Sequence, residues 1–219
     1  MTRTQRFAFA CAVLVLTASL FAAYALPALA AGLCPACYGL KKLGPNLYSD
    51  APSLDIAQTI AAAKARHGAV WGAPKSNPVI LACQTVACDL RLGGRGALGM
   101  SYGSWVIHLS PAGLNATIAA HELTHAELHD RLGLWGWWSG KVPAWLDEGI
   151  AVHVSQDARY LNRPKDCAGL TTQDLPQTAK EWRRRARAEH ERLYTQAACV
   201  AQDWLAVRGG IAALPDLFP

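Results

Sequence analysis

Hydrophobic and polar positions divide the chain into an apolar leader, a mixed first half and a helical second half. From Phe7 to Ala30 no charge interrupts the run, and only Thr17 and Ser19 are clearly polar. Helical periodicity follows over 53–67. Ser53 is placed to cap, Asp55 suits the first turn, Ile56, Ile60 and Ala63 recur on one face, and Gly68 reads as the stop. The apolar run Pro78 to Ala82 predicts a buried strand. Asp89-Leu-Arg-Leu92 alternates before a turn at Gly93-Gly94. Residues 97–110, with Tyr102, Trp105, Ile107 and Leu109, predict an edge strand or hairpin ending at Ser110-Pro111. Helical patterns then cover 114–132, 143–156, 177–187 and 189–208. No internal repeat is visible. Strands before helices predict a single α+β domain with a helical back half.

The leader changes the reading of everything after it. Arg3 and Arg6 precede the apolar run, and Ala28-Leu29-Ala30 supplies a small-x-small exit. That combination predicts an export signal over residues 1–30 with cleavage after Ala30, leaving a domain over 31–219. The run is also nearly long enough to span a bilayer, so an uncleaved leader would anchor the chain to a membrane through residues 7–30. Cys34 follows Leu33, where a lipoprotein signal would carry a small residue. The mature part keeps Cys34, Cys37, Cys83, Cys88, Cys167 and Cys199, and an even number in an exported chain argues for disulfides. Cys34–Cys37, Cys83–Cys88 and Cys167–Cys199 are the local pairs. The Cys34-Pro-Ala-Cys37 spacing also fits a redox motif or half a zinc knuckle, but no second C-x-x-C follows.

Composition excludes some classes. The chain has 219 residues, 52% hydrophobic, which rules out disorder. A formal charge of +5 gives no warrant for a nucleic-acid partner. The run Lys180 to Arg192 mixes signs and reads as a solvated helix face.

His121-Glu122-Leu123-Thr124-His125 is H-E-x-x-H on a predicted helix. At 3.6 residues per turn the two histidines lie about 40° apart, so both imidazoles reach one ion. Glu122 lies about 100° round from His121, able to meet a metal-bound water without being a ligand. Leu114, Ile118, Leu128 and Leu132 share the histidine face, which makes that face inward. His129, one turn on, lies on the same face and reads as a residue that supports the ligands or fills the core rather than as a fourth ligand. A catalytic zinc takes three protein ligands and keeps an open position, and His₂Glu is one known set. In the next helix, Pro143-Ala-Trp-Leu-Asp-Glu-Gly-Ile-Ala151 places Glu148 early, 23 positions after His125. Asp147 beside it suits a helix N-terminus.

Together, His-Glu-Leu-Thr-His-Ala at 121–126 and Trp-Leu-Asp-Glu-Gly-Ile-Ala at 145–151 resemble the gluzincin metallopeptidases, the clan of thermolysin, aminopeptidase N and the small peptidase-MA-like proteins. The resemblance covers roughly residues 97–214. It implies a thermolysin-like zincin core, a small mixed sheet followed by a helical half carrying the H-E-x-x-H and third-ligand helices. It implies one Zn²⁺ per chain on His121, His125 and Glu148, with Glu122 as general base. In the aminopeptidase branch a tyrosine opens a late helix closing in Gly-Gly, and Tyr194, ahead of Gly209-Gly210, is its candidate counterpart for steadying the oxyanion.

The aminopeptidases' G-A-M-E-N segment has no counterpart. Gly99-Met-Ser-Tyr102 stands about there, and the nearest acid before the active helix is Asp89. The expectation is therefore an exported zinc endopeptidase acting on peptides or proteins through a zinc-activated water. The alternative is a zinc-containing scaffold of the same fold without turnover. A third reading is an anchored structural protein whose histidines only fill the core. Trp135, Trp137, Trp138 and Trp145 flank the site, with Trp145 expected to pack and the others suited to an apolar subsite or a membrane surface.

Overall fold

The computed structural model describes residues 24–161 and 170–219, together with positions 2, 4, 5, 7 and 9. Most of the predicted leader, and Cys167, lie outside the described residues. Among the described residues no helix is long and apolar enough to cross a membrane.

A five-stranded mixed sheet is flanked by helices, so the chain is α+β. The strands are β1 (Lys41–Gly44), β2 (Leu47–Ser49), β3 (Val79–Ala82), β4 (Gly99–Tyr102) and β5 (Val106–Leu109), in the order β1-β2-β3-β5-β4. The centre is parallel, β2 to β3 to β5, and each edge is an antiparallel hairpin. β3 and β5 are apolar on both faces because both faces are covered. Ile80, Ala82, Ile107 and Leu109 pack against helices α2 (Leu54–Trp71) and α4 (Ala116–Trp138). Leu81 and Val106 pack the other way, against α1 (Pro27–Leu33), Cys83 and Leu92. A second core joins α5 (Ala144–Ser155), α7 (Ala179–Ala206) and α8 (Leu214–Leu217), with Trp145, Ile150, Trp182 and Leu193 at its centre, and the single turn α6 (Ala158–Leu161) stands between α5 and α7 in the chain.

Three local expectations change. Helix α2 begins where Ser53 accepts from the Ile56 amide, but it runs past Gly68 to Trp71 and stops at Gly72, whose φ is 67°. A helix-interior glycine costs about 1 kcal/mol, less than is gained by burying Trp71, which is 2% exposed. The alternation at Asp89–Leu92 belongs to a short helix, α3 (Val86–Arg91), capped by Thr85 and tied back to β3 by Cys83–Cys88. The stretches predicted at 177–187 and 189–208 form one helix in place of two, α7, broken only at Glu189 (φ −131°), the first residue of the second stretch. The predicted hairpin, the strand at β3 and the helix at 143–156 stand where the pattern put them.

Cys34–Cys37 and Cys83–Cys88 are disulfides, as the spacing suggested. Cys199 is disulfide-bonded too. On the α7 basic run Arg185 and Arg192 both reach Glu189, while Lys180, Arg183, Arg184 and Arg187 are exposed.

Candidate metal centre

Helix α4 opens with Asn115 accepting from the Ile118 amide and crosses beneath the sheet, burying every residue from Ile118 to Leu128. Both histidines of H-E-x-x-H therefore sit inside the protein, 7% and 8% exposed. Helix α5 starts after Pro143 and lies alongside. Its early turn brings Glu148 to them.

Three atoms converge. His121 Nε2 is 3.1 Å from His125 Nε2 and 3.2 Å from Glu148 Oε2, and His125 Nε2 is 3.6 Å from the same oxygen. Two donors about 2.05 Å from a tetrahedral ion stand roughly 3.3 Å apart. The triangle therefore has the dimensions of a metal-ligand face. Its chemistry agrees, since two imidazole nitrogens and a carboxylate oxygen are the donors a borderline cation prefers. Glu148 is pushed up by burial, but hydrogen bonds from His121 and His125 outweigh that and hold it low, at about 2. Burial pulls His125 down, yet Asp147 and Glu148 beside it raise it well above the usual imidazole range. A buried group of this polarity is stable only around positive charge, whether protons or a metal ion.

Asp147 fixes the ring. Its Oδ1 accepts from His125 Nδ1 at 2.7 Å, which keeps a proton on Nδ1 and turns Nε2 toward the triangle. Its other oxygen lies 3.2 Å from His129 Nε2. The sequence shows Asp147 only as a helix-terminal acid. Here its carboxylate bridges two histidines one turn apart on α4, and burial, which raises it, loses to those contacts, so it stays well below the usual carboxylate range. The i, i+4 spacing of His125 and His129 was the available signal. His125, His129 and Asp147 form a second potential donor group. The 2.7 Å Nδ1–Oδ1 separation is a hydrogen-bond distance, shorter than a tetrahedral ion would set.

Glu122 packs against β4. Ser101 Oγ donates to its Oε2 at 3.2 Å. The strand comes so close that a Cβ at Gly99 would lie 2.7 Å from Glu122 Cγ. Burial raises the Glu122 carboxyl above its usual range, and the two histidines temper that. A carboxylate so placed is a competent proton acceptor with an elevated affinity for the proton.

Tyr194 also belongs to the cluster. Its ring centroid is 6.1 Å from that of His121 and 5.1 Å from Tyr160, stacked. Its hydroxyl accepts from Trp182 Nε1 at 3.4 Å. Burial and the charge of Glu148 raise it well above 10, so it keeps its proton at neutral pH. His190 lies against the same ring at 4.6 Å and shares a 2.9 Å hydrogen bond with the Tyr160 hydroxyl. The close approach of α7 is made by Gly149. A Cβ there would come within 2.5 Å of the Ala197 carbonyl oxygen and of Ala201 Cβ. The glycine after Glu148 is thus a packing requirement. It draws Tyr194 toward Glu148.

The aromatic flank divides. Trp145 is buried, as expected. Gly133, at φ 66°, breaks α4 and turns Leu134, Trp135 and Trp138 outward. Trp137 sits edge-on to Trp105 and 5.4 Å from His129, forming a wall beside the Asp147 side of the site. Asp89 lies away from the cluster, 3.1 Å from His108, which alternates with Ile107 and so points to the opposite face of the sheet.

Comparisons of the chain with family models, with curated proteins and with solved structures find no match.

Proposed function

We propose that the protein is an exported zinc metallopeptidase of gluzincin type. The observation that carries this is the convergence of His121, His125 and Glu148 at tetrahedral donor spacing, with Glu122 held beside them yet outside the triangle. His121 and His125 through Nε2 and Glu148 through Oε2 would hold the ion. Zinc bound there supplies Lewis acidity, polarising a carbonyl and bringing the pKa of water toward about 7.

The chain's own groups supply the rest. Asp147 locks the His125 tautomer. Ser101 and the Gly99 backbone hold Glu122 in place. Glu122 accepts the proton of the attacking water and delivers it to the departing amine nitrogen. The Tyr194 hydroxyl, protonated at neutral pH, donates to the developing oxyanion. β4 is an edge strand whose outer side pairs with no strand among the described residues. An extended peptide pairing along it would pass directly over Glu122. That favours a peptide or protein substrate. Among the described residues the acid nearest before the active helix, Asp89, faces away from the cluster, which supports internal cleavage over capture of a free amino terminus.

A zinc-containing scaffold without turnover is the second reading, since the same ligand triangle would serve it. Glu122→Gln separates the two. On the peptidase reading the variant keeps about one zinc per chain and loses at least 10²-fold in peptide hydrolysis. Zinc bound by both proteins, with no Glu122-dependent cleavage by the parent across a diverse peptide library, argues for the scaffold.

A further inference from the structure

We infer that the leader is removed at the Ala25–Leu26 bond, so that the mature chain begins with the residues that build α1. The inference rests on the export reading of the N-terminus. The small-x-small exits of the sequence include Ala23-Tyr24-Ala25 and Ala28-Leu29-Ala30. The second passes through the middle of a packed helix. α1 spans Pro27–Leu33, with Pro27 opening its first turn. Ala28 and Ala31 are both 0% exposed. Pro27 covers Gly93, where a Cβ would meet its ring at 2.9 Å, and Gly32 lies so close to β5 that a Cβ would be 2.4 Å from Val106 Cγ2. The Cys34 amide closes the helix on the Ala30 carbonyl at 3.1 Å.

Cleavage after Ala30 would discard the first turn of this helix and take Ala28 from the core. It would also convert the Ala31 amide into an α-ammonium at a residue without any exposed surface. An unpartnered charge in such a place is strongly unfavourable. Cleavage after Ala25 has none of these consequences. Tyr24 is 87% exposed and Leu26 46% exposed, so the new charged terminus meets water. Water adds across the Ala25–Leu26 amide, leaving the carboxyl on Ala25 and the amine on Leu26, the reaction of a leader peptidase. The discarded apolar run also comes closer to the usual length of a signal core, about 7–15 residues.

The test is amino-terminal sequencing and intact mass of the protein recovered after export of the full chain. A terminus at Leu26 is the expected result. A terminus at Ala31 overturns the inference. An intact terminus at Met1 overturns it in favour of an uncleaved anchor, while leaving the metal site to be judged by its zinc content. Ala25→Phe, at an exposed position, should leave the precursor unprocessed, and normal processing of that variant would contradict the assignment. Chains begun at Leu26 and at Ala31 give an independent readout. The shorter one should melt at least about 5 °C lower, and equal melting would remove the structural argument.

Discussion

Asp147 offers a test of whether the buried histidines form a built metal site or merely fill a core. Its carboxylate lies 2.7 Å from His125 Nδ1 and 3.2 Å from His129 Nε2. Asp147→Asn keeps the size of the side chain and one acceptor oxygen, but removes the charge that makes His125 a stronger ligand. Asp147→Ala removes the orienting contact as well. Losing such an outer partner typically weakens metal binding 10–100-fold, which corresponds to about 1.4–2.7 kcal/mol. The Asn variant should fall near the lower end of that range and the Ala variant near the upper. Competition with a chromogenic chelator at pH 7.5 measures it, with Glu148→Ala setting the floor. An acid at a helix N-terminus contributes about 0.3–1 kcal/mol to stability whether or not zinc is bound. A drop in the melting point of the metal-free protein, with zinc affinity within twofold of the parent, would therefore refute the orienting role and leave Asp147 as a helix-end charge.

Three further outcomes follow from the packing around the site. Gly99→Ala places a methyl 2.7 Å from Glu122 Cγ. It should cut kcat by an order of magnitude or more with zinc content unchanged, because an ångström of displacement at a reacting group can cost ~10²-fold, and unaltered turnover would show that β4 does not position the base. Glu127, 0% exposed, accepts from the Lys75 and Ser76 amides and from Arg131, which in turn holds the Phe218 carbonyl. Glu127→Ala leaves a buried guanidinium unpaired and should cost about 3–5 kcal/mol, seen as a melting point lower by roughly 10 °C; a shift under 2 °C would contradict it. His67 is 2% exposed and burial lowers it to about 4, with Glu127 pulling it back up. Its neutral form is the one that folds, so its contribution is complete above the unfolded value near 6.5 and is lost as pH falls toward 4, about 3 kcal/mol in all. Urea unfolding from pH 7.5 to 4 should show that loss in the parent and a flatter profile in His67→Phe.

Much of the site is legible in the sequence because its chemistry is encoded at fixed helical spacings. His121, Glu122 and His125 follow from 3.6 residues per turn, and Glu148 from a second helix opening at a proline. Asp147 and Ser101 are not legible. Their roles depend on how α5 and β4 lie against α4, and no local periodicity records that. The same division holds for the fold. β3 and the two halves of α7 carry enough apolar pattern to be read directly. β1 and β2 have three or four residues each, and the exposed Lys41 and Lys42 give no alternation to detect. Four alternating residues at Asp89–Leu92 cannot tell strand from helix until the Thr85 cap and the Cys83–Cys88 bridge decide it. α1 was hidden for another reason. Its alanines look like the end of a leader, and only their burial reveals a structural element.

Every role proposed for the site depends on the metal. Elemental analysis of the oxidatively folded protein, beside its Glu148→Ala variant, tests this most directly. About one zinc per chain is expected, lost or sharply weakened in the variant. A folded protein that takes up no zinc when refilled, or one that binds it equally well without Glu148, would contradict the central claim.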